Sequence, residues 1–188
     1  MQEHYLYDVA AIDVEDLRAL MEHYGEDVWK YAYFLTGDPH LADDIAQETF
    51  IRAYRSFHTF RRESSVKSWL LKITRNTAFT AQRRAFLRKA VLLDSRSPDG
   101  SPSVSAGHRT APSAEETVIA YETEAELWQV IMELPRKFRD PLILRFHYQF
   151  SMEEIAEILN ISVGTVKSRI HRAKQKAANI LKGRKIYD

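Results

Sequence analysis

The 188-residue sequence contains no cysteine, which excludes disulfide bonds and thiolate metal sites. Such a composition fits a reducing compartment. The first residues, 1–16, have neither the basic start nor the apolar stretch of a signal peptide. No apolar run approaches the ~20 residues that a membrane helix needs. The sequence therefore predicts a cytoplasmic protein.

Catalytic and metal-binding motifs are also lacking. The seven histidines are scattered and none forms a metal-binding spacing with nearby carboxylates. There is no glycine-rich loop that could cradle a phosphate. Asp43 and Asp44 are adjacent, so on a helix they point about 100° apart and cannot act as an acid–base pair. We predict that the protein is not an enzyme and holds no catalytic residue, metal ion or cofactor.

A net charge of +1 conceals a strong segregation of charge along the chain. Residues 1–50 carry 12 acidic and 2 basic side chains, whereas residues 51–90 carry 11 basic and 1 acidic. Residues 91–134 are again acidic, with 8 acidic and 2 basic side chains, and residues 135–188 have 12 basic and 5 acidic. Two basic blocks predict two separate contacts with a polyanion, and the acidic blocks predict surfaces for another partner.

The segment Ser151–Lys176 has the pattern of a helix-turn-helix. Ser151 and Glu154 are spaced as a capping box, and Ser162 can cap a second helix after a turn at Asn160. The second helix buries an apolar stripe and turns long cations and small hydroxyls outward, which are the groups that base edges and phosphates require. The candidate DNA contacts are Ser162, Thr165, Lys167, Ser168, Arg169, His171, Arg172 and Lys174. The alternative is a basic helix with an ordinary solvated face.

Residues 95–113, SRSPDGSPSVSAGHRTAPS, are rich in serine, proline and glycine and indicate a flexible linker. Other segments show helical periodicity, including a predicted helix Pro141–Tyr148, and none shows strand alternation. We therefore expect an all-α protein of two small helical domains. The predicted N-terminal domain spans residues 1–92, the linker 93–114, and the helix-turn-helix domain 115–188.

Two helices of the predicted N-terminal domain have polar faces that could bind partners. A helix Pro39–Phe57 presents Asp43, Asp44, Gln47, Glu48, Ile51 and Arg55. On composition alone this is more simply a solvated face. A helix Ser65–Lys89 presents Trp69, Lys72, Arg75, Asn76, Phe79 and Arg83. Cations, aromatic rings and an amide together suit melted DNA, although Trp69 is more simply a core residue and Phe79 could pack between the domains.

The chain resembles the extracytoplasmic-function group of the bacterial sigma-70 family of RNA polymerase sigma factors. Three stretches carry the resemblance: LADDIAQETFIRAYRSF (41–57), VKSWLLKITRNTAFTAQRR (66–84) and Leu134–Ala177. They look like that family's region 2.2, regions 2.3 and 2.4, and region 4.

The resemblance implies a sigma factor that binds core RNA polymerase and directs promoter recognition, melting and transcription initiation, for a stress or envelope regulon and under an anti-sigma factor. The acidic face 43–55 would dock the clamp helices of the largest subunit, and the polymerase's beta flap is a further expected contact. Phe60, Arg61, Ser64 and Ser65 would capture a flipped minus-ten base with Asn76. Lys72, Arg75 and Arg83 would hold the DNA backbone, and the helix Val163–Lys176 would read the minus-thirty-five duplex. The protein would join the nucleoid when bound to polymerase. The alternative function is a stand-alone regulator with an N-terminal dimerisation or sensing domain.

Overall fold

The computed structural model describes residues 14–57, 60, 64–94 and 126–184, and these ranges contain helices and no strand. The helices are α1 (Val14–Thr36), α2 (Pro39–Ser56), α3 (Val66–Asp94), α4 (126–133), α5 (Arg136–Phe146), α6 (Met152–Leu159) and α7 (Val163–Arg184). The predicted all-helical class is confirmed. Most of the predicted linker lies outside the described residues. No helix in the described ranges is long and apolar enough to cross a membrane.

A tight turn joins α1 to α2, and its three residues have the roles that their chemistry favours. Gly37 adopts a left-handed conformation with φ of 71°, and its N–H donates to the Tyr33 carbonyl at 2.7 Å. The Asp38 carboxylate then caps α2 by accepting the backbone N–H of His40 at 2.9 Å. Pro39 occupies the start of α2, where its missing N–H costs nothing.

The N-terminal core lies between α1, α2 and α3. Leu20, Tyr31, Ile45 and Leu70 are almost completely buried there. The buried hydroxyl of Thr49 donates to the Ile45 carbonyl at 2.7 Å, so this polar group is satisfied within its own helix. The core therefore fixes which sides of α2 and α3 face outward.

Helix α5 corrects one boundary predicted from the sequence. The predicted helix Pro141–Tyr148 begins five residues earlier, at Arg136, and Pro141 lies inside it. Pro141 cannot donate the usual bond to a preceding carbonyl, which disfavours an interior proline by about 3 kcal/mol. Burial of the flanking Phe138 and Leu142 favours the helix at this position. Helix α3 is also longer than predicted, since it ends at Asp94 rather than Lys89.

The two helical domains pack against each other along α3. The Tyr148 hydroxyl donates to the Asp27 carbonyl at 2.8 Å, and Phe34 of α1 stacks on Trp128 of α4 with ring centroids 4.6 Å apart. Helix α6 contacts α3 directly, and α5 contacts α1. One side of α3 is therefore covered by the second domain.

Candidate functional site

The outer face of α2 carries the predicted acidic group together on one exposed side. Asp43, Asp44, Gln47, Ile51 and Arg55 are exposed, and the side chain of Ile51 is 45% accessible. Glu48 is half-buried and forms an ion pair with Arg52, with the Arg52 Nε atom 2.6 Å from the Glu48 Oε1 atom. All six predicted residues therefore share the side of α2 opposite its buried stripe. An exposed isoleucine among charges gives this face both an apolar and an acidic character.

Trp29 of α1 adjoins this acidic face and was missed by the sequence reasoning. Its indole Nε1–H donates to the Asp43 carboxylate at 2.6 Å, and its ring stacks on Tyr33 with centroids 5.6 Å apart. The link joins residues 14 positions apart in two helices, so no local pattern could reveal it. Asp43 is consequently held in place, whereas Asp44 extends into solvent.

The beginning of α3 lies beside an aromatic cluster. The ring of Trp69 lies 5.0 Å from Phe60 and 5.8 Å from Phe57, measured between centroids. The Ser65 hydroxyl accepts the Ser68 backbone N–H at 3.1 Å, which caps α3. Ser64 is half-buried, and Arg61 lies outside the described residues. The described residues of the predicted base-capture loop, Phe60, Ser64 and Ser65, therefore lie at the beginning of α3, whereas Asn76 lies further along the helix.

Three of the predicted DNA contacts on α3 lie at the boundary with the second domain: Lys72, Arg75 and Phe79. The Lys72 Nζ atom forms an ion pair with the Glu157 carboxylate of α6 at 3.0 Å. The Phe79 ring lies between two guanidinium groups, 4.7 Å from that of Arg75 and 3.9 Å from that of Arg136. Packing between the domains was the alternative interpretation of Phe79, and the structure has this contact.

Of the other three predicted contacts on α3, Asn76 and Arg83 are exposed, and Trp69 is half-buried in the aromatic cluster. The α3 surface is thus split between Lys72 and Arg75, which lie beside the second domain, and an open part. Phe79 contacts Arg136 but remains 43% exposed. We call this packing of α5 and α6 on α3 the closed arrangement.

The helix-turn-helix has the local geometry that its sequence predicts. The Ser151 hydroxyl accepts the Glu154 N–H at 3.1 Å while the Glu154 carboxylate accepts the Ser151 N–H at 2.8 Å, which completes a capping box. Asn160 adopts the left-handed conformation, with φ of 51°, and ends α6. The Ser162 hydroxyl then accepts the Thr165 N–H at 3.2 Å at the start of α7.

The buried stripe of α7, at Val166, Ile170 and Ala173, packs on α5 and α6 and turns the predicted DNA-reading side outward. Of the predicted contacts, Ser162, Lys167, Ser168, His171, Arg172 and Lys174 are exposed, and Thr165 and Arg169 are half-buried. The Lys174 Nζ atom lies 4.8 Å from the centre of the exposed Phe146 ring. Arg169 faces α3 and α5 rather than open solvent alone, since it lines a cavity with Arg75 and Arg136.

Family models match both helical domains. Residues 20–86 match the model described as Sigma-70 region 2, and residues 124–176 match Sigma-70, region 4. Over 163 residues the chain is 31% identical to the ECF RNA polymerase sigma factor SigW of Bacillus subtilis, and the match covers 87% of each chain. The chain belongs to the ECF family of RNA polymerase sigma factors.

A further relative agrees with this family, and two solved structures share the fold. The ECF RNA polymerase sigma-E factor of Haemophilus influenzae is 36% identical over 139 residues, which is 72% of each chain. The sigma factor RpoE in its complex with the anti-sigma factor NepR from Bartonella quintana has a TM-score of 0.67 and 25% identity, over 90% of this chain and 98% of that one. CnrH, in complex with the cytosolic domain of CnrY, has a TM-score of 0.66 and 20% identity, covering 96% and 97%.

The predicted family is confirmed, and the chain is a sigma factor acting in transcription initiation. The alternative of a stand-alone regulator is not favoured, because a sigma factor model matches each of the two domains and the relatives extend across both. The ECF sigma factors are initiation factors rather than enzymes.

Proposed function

We propose that the outer face of α2 docks on the clamp helices of the largest subunit of core RNA polymerase. The observation that carries this proposal is the exposed acidic group with Ile51 at its centre, on the side of α2 opposite the core. A face of this kind combines charge attraction with one apolar anchor, which speeds and orients association. The face lies in the segment that matches Sigma-70 region 2, which supports a polymerase contact there.

The two DNA-reading surfaces are proposed on α3 and α7. The cluster of Phe60 and Trp69 at the start of α3 is suited to stacking on an unpaired minus-ten base, with Asn76 available to pair with a base edge. The exposed side of α7, with Ser168 and Arg172, is suited to the major groove of the minus-thirty-five duplex.

In the closed arrangement Lys72 pairs with Glu157 of α6, and Arg75 lines a cavity with Arg136 and Arg169. Moving α5 and α6 away from α3 would free both side chains to hold the DNA backbone. We propose that this separation of the domains accompanies polymerase binding. We propose residues 1–92 and 115–188 as the two domains and residues 93–114 as the linker. The beta flap is our proposed polymerase contact for the second domain.

We also propose that an anti-sigma factor controls this sigma factor and that its regulon concerns stress or the envelope. RpoE, whose fold matches this chain, is seen in complex with the anti-sigma factor NepR, and this complex supports the proposal. We propose that the protein catalyses no reaction itself and acts in the cytoplasm. It associates with the nucleoid once polymerase holds it at DNA.

Charge reversal on α2 tests the docking proposal. Asp44→Lys should weaken binding to core polymerase by about tenfold while changing the unfolding free energy by less than about 0.5 kcal/mol, because Asp44 is exposed. Asp43→Lys should weaken binding similarly but also cost about 1 kcal/mol of stability, because it removes the acceptor of the Trp29 N–H.

The control is Glu153→Lys, which reverses an exposed charge on α6. Binding is measured by titrating fluorescent core polymerase with each variant, and stability by urea unfolding. Unchanged affinity of the folded Asp44→Lys variant would remove the docking assignment.

A further inference from the structure

A partly open cavity of about 250 Å³ lies at the junction of the two domains, and its lining carries an excess of cationic side chains. It lies between α3, α5, α6 and α7. Four cationic side chains line it: Arg75, Arg136, Lys137 and Arg169. The one carboxylate in the lining is that of Asp140, which is 4% exposed. Three of these positive charges are therefore not balanced within the lining.

The cations of the cavity are also incompletely hydrogen-bonded. The Nε atom of Arg75 and the Nη2 atom of Arg136 are buried without a hydrogen-bond partner among the described residues. Asp140 accepts one bond from Arg136, at 3.4 Å between Oδ2 and Nε, and its Oδ1 atom has no partner in the same part of the chain. Buried donors of this kind are costly to leave unpaired. Because these two N–H groups are sealed from solvent, an anion with several acceptor oxygens would satisfy them once the guanidinium groups turn toward the cavity.

Electrostatic strain among the cations is consistent with this interpretation. Burial lowers the pKa of Arg75, and repulsion from Arg136 and Arg169 lowers it further, while Tyr31 and Asp140 oppose the change. Like charges are therefore held close together at the junction, which a bound anion would relieve.

The aromatic ring of Phe79 holds the cationic groups in position. It contacts the guanidinium of Arg136 at 3.9 Å on the α5 side and that of Arg75 at 4.7 Å on its own helix. The Arg136 Nη1 atom also donates to the Gln82 side chain of α3. Two guanidinium forks restrained in this way are arranged before a ligand arrives, which lowers the entropy lost on binding.

We propose that this cavity is a binding site for a polyphosphate anion, either inorganic pyrophosphate or the phosphate end of a nucleotide. Three excess positive charges match a multiply charged anion better than a single carboxylate, and guanidinium forks match phosphate oxygens bidentately. The volume accommodates a few phosphate groups but not a duplex.

A ligand in this site bridges α3 to α5 and α7. It therefore stabilises the closed arrangement and keeps Arg75 and Arg169, two of the proposed DNA contacts, away from DNA. The binding itself does not depend on the proposed sigma factor contacts, and it is measured on the full chain without polymerase.

The test is isothermal titration calorimetry of the full chain with sodium pyrophosphate, in buffers whose ionic strength is matched with sodium chloride. We expect saturable binding of one pyrophosphate per chain. Lys137→Gln should weaken it by about fivefold, because it removes one lining cation whose exposed side chain contributes little to the fold. Lys182→Gln, an exposed lysine near the end of α7, is the matched control and should bind as the unchanged chain does.

A second readout places the ligand. Pyrophosphate should shift the side-chain Nε–H NMR signal of Arg75, and chloride at the same ionic strength should not. Adenosine triphosphate and adenosine distinguish pyrophosphate from a nucleotide as the ligand. If adenosine triphosphate binds as tightly as pyrophosphate, the site recognises the phosphates alone. If it binds more tightly, the site recognises a nucleotide. Absence of saturable binding, equal weakening by Lys137→Gln and Lys182→Gln, or an unmoved Arg75 signal would overturn the proposal.

Discussion

Two glycines in the N-terminal domain should respond to alanine with opposite signs, although both have space for the added methyl group. At Gly37 the nearest heavy atom to a new Cβ would be the Met132 Cε atom at 3.9 Å, which is an ordinary contact. At Gly25, inside α1, nothing lies within 4 Å. Packing therefore contributes little at either position, and the backbone decides the outcome.

The backbone at Gly37 has φ of 71°, a left-handed conformation that costs an L-residue about 1–2 kcal/mol. Alanine also lowers the entropy of the unfolded chain, which offsets about 0.4–1 kcal/mol of that cost. We expect Gly37→Ala to lower the free energy of unfolding by about 1 kcal/mol. Gly25→Ala removes a glycine from a helix interior, where alanine is favoured by about 0.5–1 kcal/mol.

The assay is urea unfolding of each variant, followed by the helical circular dichroism signal, with the two midpoints compared at equal slope. The variants should differ by about 2 kcal/mol, with the unchanged chain between them. A Gly37→Ala variant as stable as the Gly25→Ala variant would refute the left-handed turn between α1 and α2. It would also contradict the role of this turn in setting the direction of α2 and of its acidic face.

Two further predictions concern the second domain. Ser151→Ala should lower the unfolding free energy by about 1 kcal/mol, because it removes the cap that accepts the Glu154 N–H. Ser151→Asp should keep most of this stabilisation, because aspartate also caps helices. Urea unfolding measures both variants. Burial raises the pKa of Asp140 above its ordinary value of 3.8, against the nearby Arg136, Arg139 and Arg75. The stability that this group contributes is fully present below pH 3.8, and it is lost as the pH rises through the raised pKa of Asp140 in the folded chain. Asp140→Asn should therefore gain stability relative to the unchanged chain as the pH rises. A constant difference across the pH range would contradict that direction.

Local chemistry made much of the fold predictable from the sequence. The turn Gly37-Asp38-Pro39 and the capping box of Ser151 and Glu154 each depend on neighbouring residues only. The exposed side of α2 followed from helical periodicity, because the spacing of its apolar residues defines the core side. The α5 boundary was wrong because burial on both sides of Pro141 outweighed its local preference.

The arrangement of the two domains was not predictable in the same way. Lys72 and Glu157 are 85 residues apart in sequence, and Trp29 reaches Asp43 across two helices. No periodicity or capping signal encodes such pairs, which depend on how whole helices pack. The cavity at Arg75 and Arg136 therefore had no counterpart in the sequence analysis.

As a sigma factor, this chain should direct core RNA polymerase to promoters. The most direct test mixes the purified chain with core polymerase on a library of genomic DNA fragments and maps the 5′ ends of the transcripts. We expect defined start sites that depend on the chain, share two upstream sequence elements and weaken with Asp44→Lys. Tight promoter binding by the chain alone, with no chain-dependent transcript from core polymerase, would contradict the sigma factor assignment.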